Sequence, residues 1–257
     1  MPIILGLAVG VVLGALGGGG AILTVPILVY LLGMPAHEAT TASLVIVGVA
    51  ALMAAVPHAR RGRLRWRLAL TVGALGTAGT WLGSRLSGLV PSSGLLLGFA
   101  VLLLVVAAVM LHRGRTAAPS PVSAVQRRSR SAHWILLVVA TATAVGVLTG
   151  FFGVGGGFVI VPALTVVLGL PMLEAVGTSL VVIALNSATG LAARLSHGIS
   201  LDWGLVGAFT AAAVVGSVAG AAVSHRLPGR IVQRAFAVFL VVVASYILVR
   251  SAAGRPG

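Results

Sequence analysis

The residues of this chain that could bind a solute are mainly glycines, and they occur in a pattern that is present twice. Residues 14–45 read GALGGGGAILTVPILVYLLGMPAHEATTASLV, and residues 150–181 read GFFGVGGGFVIVPALTVVLGLPMLEAVGTSLV. An ungapped shift of 136 residues gives 15 identities in 32 positions, where composition alone would give roughly three. The pattern therefore indicates an internal duplication.

Glycines in this pattern can expose the backbone. A run of them disfavours a continuous helix, because each glycine costs about 1 kcal/mol relative to alanine in a helix interior. A break leaves N–H groups that lipid cannot satisfy, so they must line a protein-enclosed or water-filled cavity. The start of the next half-helix combines free donors with positive dipole character, which favours an anion. Two such breaks are typical of carriers built on broken helices.

The candidate binding residues are the glycines and prolines of both motifs, with hydroxyl and amide side chains on the helices that follow. Asn186 lies deep in an apolar span, where a polar group needs a partner. Pro26 is expected near the first turn of the half-helix that follows the first break. The full set is Gly17, Gly19, Gly20, Pro26, Ser43, Gly153, Gly155, Gly156, Gly157, Pro162, Thr178, Ser179 and Asn186.

Glu38 and Glu174 occupy matching positions, and two interpretations of them stay open. As first-turn residues they would stabilise their helices through the helix dipole. As proton carriers they would couple transport to a gradient. Their spacing from Gly17 and Gly153 also approaches that of a dinucleotide fingerprint, but the apolar run before each motif is too long for one strand. The glycines themselves could serve close helix packing alone.

Composition predicts an all-α polytopic membrane protein. Fifty-nine percent of the residues are hydrophobic and 8% are charged, whereas a soluble domain of this size carries far more polar surface. All 17 basic residues are arginines, against three acidic residues, and they cluster at the ends of apolar runs. This favours orientation in a bilayer over nucleic-acid binding. There is no cysteine and the six histidines show no metal-ligand spacing, so neither a metal nor a cofactor is predicted.

About eight hydrophobic segments are expected in two homologous repeats, with the first segment of each repeat broken at its glycine-rich stretch. The first repeat covers residues 1–111, a polar arginine-rich linker covers 112–132, and the second repeat covers 133–257. The loop His58–Arg67 and the linker are expected on the cytoplasmic side. Parallel and inverted repeats both place 13 arginines inside and four outside, so the relative orientation of the repeats stays open.

The segments GALGGGGAILTVPIL and GFFGVGGGFVIVPAL, each followed by a G-x-P turn, Glu-Ala and a Thr/Ser-Leu pair, resemble the sulfite exporter TauE/SafE family of membrane permeases. The resemblance covers nearly the whole chain. It implies a small secondary carrier in the cell membrane for sulfur-containing anions such as sulfite or organosulfonates. It carries over to the glycines and prolines of both motifs; one departure is Ala21, which stands where the second repeat has Gly157.

Two other classes of protein stay open. A permease subunit of a larger energised complex would co-purify with an ATPase. A membrane-embedded enzyme would need catalytic polar residues grouped at one depth, and no such group is present in the sequence, so no enzymatic activity is predicted. The expected partners are a small anionic substrate and the lipid bilayer, without nucleic acid; the oligomeric state is not predicted.

Overall fold

A computed structural model of the chain describes residues 1–87, 92–116, 132–152, 157–195 and 201–252. Within these residues the chain forms ten helices and no strand, which confirms the all-α prediction. The helices are α1 (Pro2–Leu16), α2 (Gly19–Pro26, continued by a π-helical turn, Ile27–Leu31), α3 (Ala36–Arg60), α4 (Trp66–Ser87), α5 (Ser92–Thr116), α6 (Ala132–Phe152), α7 (Gly157–Pro162, continued by a π-helical turn, Ala163–Val167), α8 (Met172–Leu195), α9 (Trp203–Ser224) and α10 (Gly229–Ala252).

The helices have the length and surface of a membrane bundle. Stretches of α3, α8, α9 and α10 are each long and apolar enough to span a bilayer. Large apolar side chains also face outward, since Trp81, Leu136 and Val242 are 61%, 67% and 61% exposed. A soluble protein rarely exposes so much contiguous apolar surface, whereas lipid tails solvate it. These are the features of a multi-pass membrane protein.

Corresponding helices of the two halves run in opposite directions. The shift of 136 residues maps α1–α5 onto α6–α10, so that α3 corresponds to α8. These two helices pack antiparallel, because Gly48 lies against Ser187 and Gly190 lies against Leu44. A relation that reverses the direction of every corresponding helix places the halves in inverted orientation. The geometry therefore favours the inverted arrangement over the parallel one.

Helices α1 and α2 form a hairpin. α1 ends at Gly17, whose φ of 73° is left-handed and whose N–H donates to Leu13 O at 2.8 Å. Glycine is favoured at this position because it has no Cβ. α2 then returns along α1, so that a Cβ at Gly20 would lie 2.5 Å from Val9 O. The chain thus breaks at the first glycine-rich stretch, as predicted; residues 153–156 of the second stretch lie outside the described residues.

The motif prolines lie at the ends of their half-helices, so the expected position of Pro26 near the first turn is wrong. Pro26 is the last residue of α2, and Pro162 is the last residue of α7. Proline removes one N–H and crowds the preceding turn, which favours a local change to the wider π geometry. The π turns close through N–H donation from Leu32 to Ile27 O and from Leu168 to Ala163 O, both at 3.2 Å.

Glycines let two pairs of helices approach backbone to backbone. In α1, Gly14 lies on the carbonyl oxygen of Ser217, and in α4, Gly83 lies on that of Val147. The packing role expected for Gly79 and Gly83 is therefore confirmed. α1 runs parallel to α9, because successive glycines meet successive residues: Gly6, Gly10 and Gly14 lie against Phe209, Ala213 and Ser217.

The segment predicted as a linker is helical at its first end. α5 continues to Thr116 and α6 begins at Ala132, while residues 117–131 lie outside the described residues. The division into repeats at residues 1–111 and 133–257 stays a prediction.

Replacing Gly14 by alanine is expected to destabilise the protein by about 1–3 kcal/mol, because the new methyl group would overlap Ser217 O and push α1 away from α9. Gly207→Ala is the matched control, since a Cβ at Gly207 in α9 meets no atom within 4 Å; it should gain about 0.5–1 kcal/mol. Thermal unfolding of the purified protein in detergent measures both. A Gly14→Ala variant as stable as the unmodified protein would contradict the backbone contact.

Candidate functional site

The start of α2 lies against the start of α7. The backbone of Gly18 packs so closely on Gly157 O that no side chain fits at Gly18. Both glycines are buried. Among the described residues, no acceptor is hydrogen-bonded to the N–H groups of Gly18, Gly19 or Gly20, and no side chain caps α2. The two half-helix starts therefore meet, and α2 presents buried donors at the meeting point.

One face of α8 covers these half-helix starts. Ser179 Oγ donates to Gly17 O at 2.6 Å, and Ile183 Cδ1 lies 2.9 Å from the position of a Cβ at Gly157. Asn186 follows on the same face, because positions i, i+4 and i+7 share one side of a helix. Its side-chain oxygen is buried without a hydrogen-bond partner among the described residues. An unsatisfied polar atom thus lies on the face that meets the first break.

The other hydroxyl side chains in the predicted set lie elsewhere. Ser43 Oγ donates to Thr40 O at 2.8 Å, within its own helix. Thr178 is fully buried and its Oγ1 accepts from the backbone N–H of Arg65 at 3.3 Å, so it holds the turn between α3 and α4. Gly153, Gly155 and Gly156 lie outside the described residues. The predicted residues that the structure brings together are Gly17, Gly19, Gly20, Gly157, Ser179 and Asn186.

Glu174 forms an ion pair with Arg65. Arg65 Nε lies 2.9 Å from Glu174 Oε2, and the two side chains are 30% and 15% exposed, respectively. Glu38 and Glu174 lie in the first turns of α3 and α8, the position that the helix-dipole interpretation requires. In the described part of the chain Glu38 has no ion-pair partner. The proton-coupling interpretation of both residues stays a prediction.

A cluster of His58, Arg63 and His225, here called the histidine cluster, was missed by the sequence analysis. The two imidazole centroids are 4.3 Å apart, and Arg63 Nη1 lies 2.8 Å from His225 Nδ1. Burial lowers the pKa of His225 to about 4, with further lowering by the charges of Arg61 and Arg63. Because 162 residues separate Arg63 from His225, no local spacing could reveal the contact.

A cavity of about 520 Å³ opens beside the turn between α3 and α4. It lies between the starts of α4 and α6, and none of the predicted binding residues lines it. Its lining includes Arg65, Trp66, Arg67, Thr71, Trp134 and Val138. The cavity therefore belongs to the arginine-rich end of the bundle, apart from the first glycine break. Across the described ranges, no group of three or more His, Asp or Glu side chains is placed to hold a metal ion.

Comparison with known proteins decides the family. Residues 2–247 match the family described as Sulfite exporter TauE/SafE. The chain belongs to the TauE/SafE family. This TauE/SafE protein is 35% identical over 252 residues to a probable membrane transporter protein of Xylella fastidiosa (strain Temecula1), which covers 95% of this chain and 92% of that relative. No solved structure matches it.

More distant relatives of the TauE/SafE protein carry the same description. YdhB of Bacillus subtilis, a probable membrane transporter protein, is 26% identical over 88% of this chain and 90% of its own. A probable membrane transporter protein of Methanocaldococcus jannaschii is 30% identical over 76% of this chain and 71% of its own. The family and these names identify the TauE/SafE protein as a multi-pass membrane transporter.

In this TauE/SafE protein the Arg65–Glu174 pair is expected to contribute about 0.5–1 kcal/mol, because both side chains are partly exposed and screened. A double-mutant cycle of Arg65→Gln and Glu174→Gln should give a coupling of that size at low salt and less at high salt. The matched control cycle pairs Arg65→Gln with Glu38→Gln and should give no coupling. Equal coupling in the two cycles, measured by thermal unfolding, would sink the assignment.

Proposed function

We propose that this protein is a secondary transporter of small anions, and that the anion binds at the paired starts of α2 and α7. The observation that carries the proposal is the buried start of α2. There the N–H groups of Gly18, Gly19 and Gly20 have no acceptor within the described part of the chain. Such donors at the positive end of a helix bind an anion without a charged side chain.

The free energy of these donors supports a ligand that accepts hydrogen bonds. A buried donor without an acceptor costs about 1–3 kcal/mol, and the first break holds three of them close together. An oxyanion with several acceptor oxygens satisfies more than one at once. Because no opposite full charge is required to hold the anion, it can also leave when the site opens.

The inverted orientation of the halves supports transport rather than static binding. The starts of α2 and α7 belong to different halves, and Gly18 contacts Gly157 directly across the boundary between them. In transporters with inverted repeats, the solute binds at this boundary and the halves move against each other to expose it to either side. The meeting point of the half-helices is therefore placed where alternating access requires the site.

Sulfite and organosulfonates are the first candidate substrates. The family description names a sulfite exporter, and sulfite carries three oxygens that can accept from neighbouring N–H groups. A flux screen in proteoliposomes compares sulfite, thiosulfate, sulfonates and carboxylates under an ion gradient, with and without ATP. We expect flux of a sulfur oxyanion driven by the gradient alone. Flux that depends on ATP would indicate a permease subunit of an energised complex.

Asn186→Leu is expected to reduce that flux at least tenfold, because leucine keeps the volume but removes the amide group that faces the half-helix starts; one lost hydrogen bond is worth about 1.4 kcal/mol. Thr189→Val on the same helix is the matched control, since its exposed hydroxyl donates only to Asn186 O at 3.0 Å. Size-exclusion profiles establish that both variants fold. Unchanged flux in a folded Asn186→Leu variant would contradict the placement of the site.

A further inference from the structure

The histidine cluster contains two polar side chains whose hydrogen bonds are incomplete. His58 lies in the last turn of α3 and is fully buried. Neither of its ring nitrogens has a hydrogen-bond partner among the described residues, although Gly14 O lies beside the ring. His225 Nε2 is buried in the same condition. Three imidazole nitrogens in one cluster therefore lack partners, and buried polar groups of native proteins rarely do.

The contact with Arg63 fixes the tautomer of His225. A guanidinium group can only donate hydrogen bonds, so His225 Nδ1, 2.8 Å from Arg63 Nη1, must accept. The ring then carries its hydrogen on Nε2. Since burial and nearby arginines lower the pKa of His225 to about 4, the ring is neutral at pH 7. The buried Nε2–H is thus a donor that requires an acceptor.

The charges around the cluster select the kind of acceptor. Arg61 and Arg63 both act electrostatically on the two imidazoles. The nearby acid, Glu174, is already engaged with Arg65. Positive charge therefore remains uncompensated, which disfavours a metal cation between the imidazoles. A water molecule would accept the hydrogen bond but leave the charge, whereas a small oxyanion satisfies both.

We propose that Arg63, His225 and His58 form a second binding site for a small oxyanion, at the arginine-rich end of the bundle. His225 donates through Nε2–H and Arg63 donates through its remaining guanidinium N–H groups. His58 closes the site on the side of α3. This site is distinct from the glycine breaks, and its service as an entry or exit position on the transport path rests on the proposed function. Binding itself does not depend on that function.

The corresponding positions of the other half carry different chemistry. The shift of 136 residues maps His58 onto Arg194 and Glu174 onto Glu38, and the counterpart of His225 is Leu89. The second site is therefore specific to one end of the inverted pair of repeats. An anion that crosses the protein would meet this site on one side of the membrane only, which makes the two directions of transport unequal.

The test is isothermal titration of the purified full-length protein in detergent with sulfite, with sulfate and chloride as comparisons. His225→Phe and Arg63→Gln should each weaken sulfite binding about tenfold or more. His225→Gln keeps an amide donor and should retain much of the affinity. Arg67→Gln is the matched control, because Arg67 follows Arg63 by four residues and lines the neighbouring cavity instead; it should bind as the unmodified protein does. Size-exclusion profiles show whether each variant folds, and His225→Gln remains informative if Arg63→Gln does not.

Binding that is unaffected by His225→Phe, equal losses in Arg63→Gln and Arg67→Gln, or no oxyanion binding by the unmodified protein would each overturn the site. Flux of the same anion is measured in parallel in proteoliposomes. Normal flux with binding insensitive to His225 overturns the second site and leaves the proposed function. Binding that depends on Arg63 and His225 without any flux overturns the proposed function and leaves the second site.

Discussion

A helix that stops inside a hydrocarbon layer leaves N–H and C=O groups that lipid cannot satisfy, and this constraint shapes the whole molecule. The chain stops at Gly17 and resumes at Gly19, so protein must enclose the break. α8 supplies part of the cover, since Ser179 donates to Gly17 O. α7 supplies another part through Gly157. The same enclosure that makes the break tolerable also makes it a site, because its donors are dry and oriented.

Close backbone packing is what allows the enclosure to form. α1 lies on α9, and α6 lies on α4, through glycines that meet carbonyl oxygens of the opposite helix. Each pair joins one half of the chain to the other, so the halves interlock instead of packing as separate domains. Small residues replace the hydrophobic driving force that is weak between helices in lipid. The two functions first weighed for glycine, close packing and helix breaking, are both present, at different positions.

The two ends of the bundle differ in their polar contacts. At the end that carries the turn between α3 and α4, Arg65 binds Glu174 and Arg63 binds His225, so two contacts tie the first half to the second. The counterparts in sequence, Asp202 for Arg65 and Glu38 for Glu174, are both acids. The inverted halves are therefore alike in backbone and unlike in charge. This difference gives the transporter a direction that symmetry alone would deny it.

The sequence predicted most of what depends on local pattern. The helical class, the break at Gly17 and the packing role of Gly83 followed from apolar runs and glycine spacing, because these features act over a few residues. The position of Pro26 was mispredicted, since a proline can end a half-helix through a π turn as readily as it begins one. The contact between His58 and His225 could not be predicted, because it depends on which distant helices become neighbours.

The most direct measurement of the central claim is an experimental structure determined with selenite, a heavier analogue of sulfite whose selenium scatters anomalously. The account predicts an anomalous peak within hydrogen-bond distance, about 3 Å, of the backbone nitrogens at Gly18, Gly19 and Gly20. It also predicts that the chain remains broken between α1 and α2. A continuous helix through Gly17, or an anion bound only beside Arg63 and His225, would contradict the account.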